Sequence, residues 1–493
     1  MIDFSKKLGL FLGFLFVSVW TLAQSPYEAL RYSETTFLGS SRGRALSGAF
    51  GALGADFTAI GVNPGGVGMF RKSEFVATLG LQARSNFSGY ANSETDDLRV
   101  RANIPNIGFI YTKLFVDDSG RKTKGKWTSF NFAVGINRTA DFNEHRFWES
   151  KNARRSLLPA LANELNGLGP NQISMGTASA EAVMGWNSYL LNPLPNDTLS
   201  YSSVTDNREI TQRINSEIQG GINDISITLG ANYNDRLYFG VYLGIPVLRY
   251  TENITHRELD EENAYTGFDN FRMEQELSTM GIGFNTRIGL LYRVNNYFRV
   301  GASIHSPTFY GLQDEFSGSI SSDLDTTTHR YETAEGSFDY SLSTPWRFNA
   351  STAVLFGKYG FFSLDYEYVD YRKARYFLDS DYSTFENVLN ESVDNIAQNA
   401  SNIRAGVEFA IGLFRIRGGY AIYGSSLSGE SFLGRNSGQM ASGGVGFRLE
   451  KVYLDFAYNR LIYKERLNVL FNGIQSTDKV VRNMVTATVG YRF

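Results

Sequence analysis

Few side chains in this sequence have the types and spacing that catalysis or metal binding requires. There are four histidines, His145, His256, His305 and His329, and no cysteine. No two histidines stand at a metal-ligand spacing, and neither an HExxH motif nor a nucleophile elbow occurs. The lack of cysteine excludes thiol catalysis and cysteine-ligated metals. The sequence therefore predicts a protein that is not an enzyme and uses no cofactor.

Asp365 and Glu367 are one candidate pair for acid–base catalysis. The alternative interpretation is structural, because both lie on the polar face of one predicted strand and arginines lie on neighbouring strands. Opposite charges on adjacent strands pair and satisfy the inner wall of a barrel. We predict such a lumen charge network, formed by Arg347, Asp365, Glu367, Arg404, Glu408, Arg415 and Arg417.

The elements that must position these residues are β-strands. In residues 452–459 apolar side chains occupy every second position, so one face of the strand is oily and the other is mixed. We predict fourteen strands of this kind, at 72–85, 98–115, 127–140, 222–234, 236–258, 271–294, 296–320, 335–357, 359–375, 402–412, 414–423, 440–449, 451–463 and 480–493.

Long and short connections alternate strictly between these strands. Outer-membrane barrels have short periplasmic turns and long outer loops, so the alternation predicts an all-β fold, a transmembrane antiparallel β-barrel. A soluble sandwich or propeller is the alternative, but neither normally combines this alternation with a signal peptide and a last strand ending at Phe493. We interpret Phe493 as the assembly signal read by the barrel-assembly machinery.

Bulk composition agrees with this fold. The 493 residues include 49 Gly, 28 Tyr and 37 Phe, and the aromatic share of 14% suits girdles at two membrane interfaces. The net charge of −3 provides no strong field for nucleic acid. The expected location is the outer membrane of a Gram-negative-type bacterium, with outer-membrane lipid and lipopolysaccharide as surroundings.

The first 23 residues are predicted to be a cleaved signal peptide. Lys6 and Lys7 precede an apolar run, and Ala23 completes a small-x-small cleavage site, so the mature chain would begin at Gln24. A short transmembrane anchor is the alternative, but the run is too short to span comfortably. The remaining chain divides into a small-residue segment, 24–71, and the barrel, 72–493.

The long outer connection 141–221 has helical texture. Apolar residues recur at mixed three- and four-residue spacing between Leu157 and Leu168, and a second short helix is indicated between Ala180 and Trp186. Two interpretations stay open: a packed outer cap, or an apolar landing surface for a greasy ligand.

The N-terminal segment carries the most specific pattern. A small-residue run around Asp56 precedes Asn63-Pro64-Gly65-Gly66, a turn signal with a stiff proline and permissive glycines. The glycines do not follow a strand and open a βαβ unit, so they do not indicate a dinucleotide site.

This segment resembles the hatch of the FadL/TodX family of outer-membrane transport proteins. Asp56 and Asn63-Pro64 match that motif, Phe70 or Phe75 fills the aromatic position, and Gly65 departs from the usual alanine. Looser similarities lie at Pro105, Pro345-Trp346 and Gly418-Gly419-Tyr420. The resemblance implies a fourteen-strand barrel with residues 24–71 as a hatch inside the lumen, passing hydrophobic small molecules such as long-chain fatty acids or aromatic compounds.

Three functions are compatible with these patterns: a passive channel for hydrophobic compounds, a haem or iron-complex receptor, and a structural or adhesive barrel. The sequence does not identify ligand-contacting residues. For a channel, Pro105 cannot donate to the strand ladder and therefore marks a bulge or a broken pair. We predict a lateral opening at Asn103, Pro105, Asn106 and Gly108, bent towards the Asn63-Pro64-Gly65 segment; a harmless kink is the alternative.

Overall fold

The computed structural model describes residues 24–493 except 37, 91–92, 117–124, 154–155, 206–208, 326, 430–433, 436 and 469–474. The predicted signal peptide lies outside the described residues. The strands are β1 (Glu74–Tyr90), β2 (Ser93–Leu114), β3 (Trp127–Asp141), β4 (Glu144–Ala153), β5 (Leu191–Leu194), β6 (Asp197–Ser203), β7 (Ile210–Tyr233), β8 (Leu237–Leu259), β9 (Asn270–Arg293), β10 (Phe298–His305), β11 (Phe309–Leu324), β12 (Thr327–Glu332), β13 (Gly336–Ser343), β14 (Arg347–Leu355), β15 (Gly360–Asp370), β16 (Arg375–Phe377), β17 (Asn399–Ile411), β18 (Phe414–Tyr423), β19 (Gly434–Arg435), β20 (Gly438–Arg448), β21 (Val452–Asn468) and β22 (Gln475–Arg492).

These strands form a closed antiparallel barrel with fourteen strands in its wall. Four wall strands are split into two segments each: β3 with β4, β10 with β11, β13 with β14, and β15 with β16. The last strand pairs with the first along its length, from Glu74 opposite Arg492 to Gly89 opposite Thr477. This pairing closes the sheet, which is what a sheet needs in order to cross a bilayer. The predicted fold class is confirmed.

Alternation of side chains gives the wall its two faces. On β8, Phe239 and Leu243 point outward and are exposed, whereas Tyr238 and Tyr242 point inward and are buried. Between β7 and β8 the chain turns at Asn234 and Asp235, whose φ angles of 55° and 54° are those of the tight turn that favours Asn and Asp. The short periplasmic turns thus follow from turn residues that the sequence displays.

Two predicted strands are interrupted by proline. Pro307 separates β10 from β11, and Pro345 separates β13 from β14. Proline has no N–H for the ladder, so neither 296–320 nor 335–357 is continuous. The breaks lie side by side and are bridged, because Thr344 N–H donates to Thr308 O at 3.0 Å and Thr308 N–H donates to Thr344 Oγ1 at 2.9 Å.

Outer connections differ from the prediction in their strand content. β1 and β2 extend to Tyr90 and from Ser93, so the predicted loop 86–97 is mostly strand, and β7 begins at Ile210 inside the predicted loop 141–221. The loop 376–401 contains an unpredicted helix. The helices of the protein are α1 (Pro26–Ser33), α2 (Ser41–Ala45), α3 (Ala59–Val62), α4 (Leu158–Leu165), α5 (Ala180–Asn187) and α6 (Ser383–Ile396). No helix among the described residues is long and apolar enough to cross a membrane.

The outer helices α4 and α5 form a packed cap. Leu158, Leu161 and Leu165 of α4 are buried in one cluster with Met184 of α5 and Phe271 of β9. Their apolar faces are therefore covered by the cap's own core. This arrangement favours the packed-cap interpretation over an exposed landing surface.

The N-terminal segment, residues 24–70, is folded against the inner face of the wall. Ser25 and Glu28 form a capping box that starts α1, and a 3-10 helix spans Pro64–Met69. α2 contacts β18, β20, β21 and β22, whereas the 3-10 helix contacts β3, β7, β8, β9 and β10. These two sets of strands lie on different sides of the barrel, so the segment lies between them.

Candidate functional site

Asn63 fastens the N-terminal segment to the wall. Its side-chain amide donates to Gly51 O at 2.7 Å and to Leu290 O on β9 at 2.9 Å, while its carbonyl accepts from Gly65 N at 3.0 Å. Pro64 can then start the 3-10 helix because its fixed φ suits a first helical position. The Asn-Pro-Gly turn therefore connects three pieces of backbone at once.

A row of glycines in the wall receives this turn. Gly240 on β8 pairs with Gly230 on β7 and with Gly289 on β9. A Cβ on Gly240 would lie 2.1 Å from Pro64 O, and one on Gly289 would lie 2.1 Å from Asn63 Oδ1. The sequence analysis did not identify this row. The row could have been predicted from the sequence, because a glycine occurs at the corresponding inward position of three successive strands.

Asp56 holds the turn that leads into α3. Its Oδ1 accepts from Ser40 Oγ at 2.7 Å, Thr58 N at 2.9 Å and Thr58 Oγ1 at 2.7 Å. Burial opposes ionisation of this carboxyl, but the Arg42 guanidinium and these hydrogen bonds outweigh burial and hold the pKa of Asp56 below its usual value. Asp56 is thus an ionised internal acceptor that ties residue 40 to residue 58. Gly66 packs tightly beneath it, because a Cβ there would meet the Ala59 Cβ at 2.8 Å.

The predicted lumen charges lie in two groups. In the first, Glu367 accepts from Arg347 at 3.2 Å and lies 3.1 Å from Arg404. In the second, Arg417 contacts Glu408 at 2.5 Å and Asp455 at 2.6 Å. Asp365 differs from the prediction, since it forms no ion pair with any arginine among the described residues. Its Oδ2 accepts from the backbone N–H groups of Phe50 at 2.9 Å and Gly51 at 2.7 Å.

Arg415 does not join either group. It lies next to the turn that precedes β18, and its Nη1 donates to Gly412 O at 2.8 Å and to Phe414 O at 2.7 Å. At the end of the wall, backbone carbonyls of the turn lack partners in the strand ladder. They therefore accept hydrogen bonds from the Arg415 guanidinium in place of a carboxylate. The network instead includes Arg42 of α2, whose Nε donates to Glu408 at 3.1 Å. The charges therefore clamp the N-terminal segment as well as the strands.

A second buried charge cluster was missed by the sequence analysis. Glu144 and Arg146 on β4 reach Arg84 on β1 and Glu465 on β21; Glu144 contacts both arginines, and Arg146 contacts Glu465 at 2.6 Å. Asp478 on β22 lies 3.8 Å from Arg146. The cluster joins β4 to the seam at which the barrel closes.

The barrel wall is interrupted beside Pro105. Thr78 of β1 pairs with Asn106 and Gly80 with Asn103, so Ile104 and Pro105 together oppose Leu79 in a β-bulge. On its other edge β2 pairs with β3 only from Asn106 to Leu114. Residues 93–105 therefore have no ladder partner on that side.

Side chains bridge the upper part of this interruption. Thr95 Oγ1 donates to Phe147 O, Arg99 Nη1 donates to Glu144 O at 3.3 Å, and His145 contacts Asp97. Near Asn103 and Pro105 the gap instead adjoins a large cavity.

That cavity has a volume of about 1340 Å³. Cap residues such as Met175 and Met184 line its outer end, the N-terminal segment lines its inner side, and Asn103 and Pro105 line it at the wall interruption. Across the interruption lie Thr139, Ala140 and Asp141, which also line the cavity. Thr36 N–H donates to Thr139 O at 2.8 Å, so the N-terminal segment is attached to this edge.

The predicted approach of Asn63-Pro64-Gly65 to the 103–108 region is wrong. That turn lies on β8 and β9, as described above, because the glycine row there leaves room for it. Phe57 makes the contact with β2 instead: a Cβ on Gly108 would lie 1.9 Å from Phe57 Cε2, and one on the paired Gly135 would lie 2.4 Å from Phe57 Cζ. Of the aromatics offered for the hatch motif, Phe70 is buried whereas Phe75 faces outward.

Arg44 of α2 lines the cavity without a counter-ion. Its side chain is buried, with the residue 6% exposed. Nε donates to Gly39 O at 3.0 Å and Nη1 lies 3.1 Å from Met484 Sδ, but no carboxylate among the described residues pairs with it. Burial lowers the pKa of Arg44 to about 10. Buried charges normally have partners, and this guanidinium has no carboxylate partner among the described residues.

Comparison with known proteins adds to this geometry. No protein-family model and no curated protein matches the sequence. Among solved structures, a Pseudomonas aeruginosa FadL homologue is 9% identical over 93% of this chain and 99% of its own, with a TM-score of 0.57. The Pseudomonas putida toluene transporter TodX is 10% identical over 93% of this chain and 100% of its own, with a TM-score of 0.51.

The chain has the FadL/TodX fold. A third similar structure, the CymD monoaromatic hydrocarbon channel, is 10% identical over 93% of this chain and 98% of its own, with a TM-score of 0.50. At these identities the likeness concerns architecture, and it confirms the resemblance found in the sequence at that level. A closed FadL/TodX-like barrel with an outward apolar face also confirms the expected outer-membrane location.

Proposed function

We propose that this protein is an outer-membrane channel for passive uptake of hydrophobic small molecules. The observation that carries the proposal is the cavity of about 1340 Å³, which extends from the cap to the interruption beside Pro105. Its volume exceeds the roughly 300–1,000 Å³ typical of small-molecule pockets. The lining under the cap includes the apolar residues Met184, Leu277 and Phe316.

In this proposal the N-terminal segment, residues 24–71, acts as the hatch. A barrel of this size leaves a water-filled passage unless something occupies it. The hydrogen bonds of Asn63 and the clamp on Arg42 keep the segment across the lumen. A ligand in the cavity then leaves beside Pro105, sideways into the bilayer, rather than through the hatch.

Sideways release also agrees with the chemistry of the ligand. An oily molecule that leaves through the wall exchanges one apolar environment for another and avoids water. The edge of β2 at Asn103 and the edge of β3 at Ala140 are available because neither pairs with the other. Closed sheets normally leave no unpaired strand edge within the hydrocarbon of the bilayer, because unsatisfied backbone groups there are costly. The interruption therefore supports a functional role for this part of the wall.

Arg44 favours an anionic headgroup on that ligand. The guanidinium faces the cavity beside Leu38 and Met440, which are apolar. A carboxylate there would supply the missing partner, and a charge-assisted bidentate contact is the strongest that arginine forms. Of the two ligand classes expected from the sequence, long-chain fatty acids therefore suit the cavity better than neutral aromatic compounds.

The rival functions receive less support. A haem receptor would need exposed ligands, whereas His145 is engaged by Asp97 and His256, which lines the cavity, lies against Glu258 and Phe271. A purely structural or adhesive barrel would favour a tightly filled interior, and the cavity above the hatch argues against that.

Cross-linking tests the lateral route. Asn103→Cys and Ala140→Cys, joined by a short thiol-reactive cross-linker, should slow uptake of a long-chain fatty acid into proteoliposomes. Asn106→Cys with Asn137→Cys is the matched control, because those residues already pair across β2 and β3. Equal uptake by both cross-linked proteins would sink the lateral route, and absence of any uptake by the unmodified protein would sink the channel.

Substitution of Arg44 tests the headgroup. Arg44→Gln should weaken binding of a long-chain fatty acid by about tenfold or more, as loss of a charged contact implies, and should leave its methyl ester unaffected. Arg44→Lys should retain most of the affinity for the acid. Equal loss of acid and ester would contradict an anion site.

A further inference from the structure

Four basic side chains at the outer end of β21 and β22 point away from the lumen. Along β21 exposed residues alternate with the buried Tyr463 and Glu465, and on β22 Lys479 stands between the buried Asp478 and Val480. The exposed basic residues, here named the basic rim patch, are Arg460, Lys464, Arg466 and Lys479.

Like charges face each other within this patch. Lys464 lies directly opposite Lys479 in the register of β21 and β22, an arrangement that destabilises a sheet. Lys479 Nζ lies 6.0 Å from the centre of the Phe87 ring, and no member of the patch forms an ion pair within the described part of the chain. In the register of the sheet, the exposed Asp96 lies beyond Phe87, on the second strand from Lys479.

Some other basic residues on the outer rim are neutralised locally. Arg213 contacts Glu149 at 2.8 Å and Glu261 at 2.9 Å, and Arg375 contacts Asp394 at 2.9 Å. The wall therefore supplies acidic partners to some rim arginines, whereas within the described part of the chain Lys464 and Lys479 have none. The patch therefore keeps an excess of positive charge, although the repulsion between Lys464 and Lys479 lowers the stability of the sheet.

The height of the patch matches lipid headgroups. Tyr458 is exposed just below Arg460, and its hydroxyl donates to Asn483 at 2.7 Å, as expected of an aromatic at the membrane interface. The outward residues Val485, directly opposite Tyr458 on β22, and Phe456, below it on β21, are apolar. Lys464 lies roughly 15 Å above Tyr458 at about 3.3 Å per residue and a tilt near 40°.

We propose that the basic rim patch binds the phosphate groups of a phosphorylated glycolipid in the outer leaflet. One phosphate placed between Lys464 and Lys479 removes their repulsion. Arg460, about 13 Å along the strand from Lys464, then takes a second phosphate at the other end of a disaccharide headgroup. A glycerophospholipid carries one phosphate and spans only part of the patch. This site is independent of the transport route.

Lipid retention tests the proposal. The unmodified protein, folded in mild detergent, is equilibrated with bisphosphorylated lipid A, phosphatidylglycerol or inorganic phosphate, and bound molecules are counted by native mass spectrometry. Lipid A should be retained preferentially, and Lys464→Gln with Lys479→Gln should reduce its retention about tenfold, the equivalent of 1.4 kcal/mol. Lys464→Arg with Lys479→Arg should preserve it.

Two charges removed elsewhere on the rim provide the control. Arg272→Gln with Arg330→Gln affects exposed arginines that pair with Glu274 and Glu332, so it should leave lipid A retention unchanged. Heat-modifiable migration on gels verifies that each variant is a folded barrel. Equal loss in the control, retention of lipid A by the lysine-to-glutamine variant, or phosphatidylglycerol binding as tight as lipid A would each overturn the proposal.

Discussion

Asp365 on β15 accepts two backbone hydrogen bonds from the N-terminal segment, from Phe50 N at 2.9 Å and from Gly51 N at 2.7 Å. The carboxylate lies in the wall and the donors lie in a turn between α2 and α3, more than 300 positions away in sequence. This contact makes the position of the N-terminal segment depend on one wall side chain.

Asp365→Ala should therefore loosen the hatch. It leaves two buried N–H groups without acceptors, each costing about 1–3 kcal/mol, so hydrogen exchange at residues 50 and 51 should accelerate by about thirtyfold or more. Asp365→Asn should have a much smaller effect, because its amide oxygen still accepts. Equal exchange rates in Asp365→Ala and the unmodified protein would show that the contact does not hold the turn.

Gly240→Ala should displace the Asn63-Pro64 turn. Its methyl group would lie 2.1 Å from Pro64 O, and overpacking of this kind typically costs about 1–3 kcal/mol. We expect a higher ion conductance of single channels in planar bilayers. Gly311→Ala is the control, since open space surrounds its Cβ position; similar conductance in the two variants would contradict the glycine row as the seat of the turn.

Docking of α1 should depend on pH through Glu28. Burial, helped by the charge of Asp314 and opposed by Arg31, raises the pKa of Glu28 from 4.5 to about 8. The docked helix then holds a proton that the free helix releases, so docking is fully stabilised below pH 4.5 and weakens as pH rises through about 8.

A nitroxide label at Tyr27 measures this docking, and its mobile fraction should grow between pH 6 and pH 9. Glu28→Gln cannot ionise and should give a flat profile over the same range. A label whose mobility rises equally in Glu28→Gln would assign the pH dependence to another group.

Glu144→Gln should be far more damaging than Glu149→Gln on the same strand. Glu144 neutralises Arg84 and Arg146 in a buried cluster, and removal of one partner from such a cluster costs about 3–5 kcal/mol. Glu149 pairs with the partly exposed Arg213, and pairs of that kind contribute about 0–1 kcal/mol. Urea-unfolding midpoints in detergent or lipid vesicles compare the two variants, and equal midpoints would refute the structural role of the cluster.

Local pattern determined the barrel itself. Side-chain alternation, as in residues 452–459, and turn residues such as Asn234-Asp235 act over a few positions, so the strand faces and the strand number were predictable from the sequence. The strict alternation of loop lengths was not fully so, because β1 and β2 extend through most of the predicted loop 86–97. The same local logic predicted α4, α5 and the bulge at Pro105. The prediction of a continuous strand at 296–320 failed at Pro307, because proline lacks the N–H that the ladder needs. The residues on either side of Pro307 do form strands, as their alternation predicts.

Only the tertiary structure decided which residues of the inner barrel wall contact the N-terminal segment. Nothing near Asp365 in sequence indicates that it accepts from Gly51 rather than pairing with an arginine, and nothing near Arg44 indicates that it lacks a counter-ion. These relationships join residues far apart in the chain, through the closure of the sheet around residues 24–70. The cavity, the unpaired edge of β2 and the glycine row beneath Asn63 are properties of that closed arrangement, because each requires the relative positions of several strands and the hatch at once.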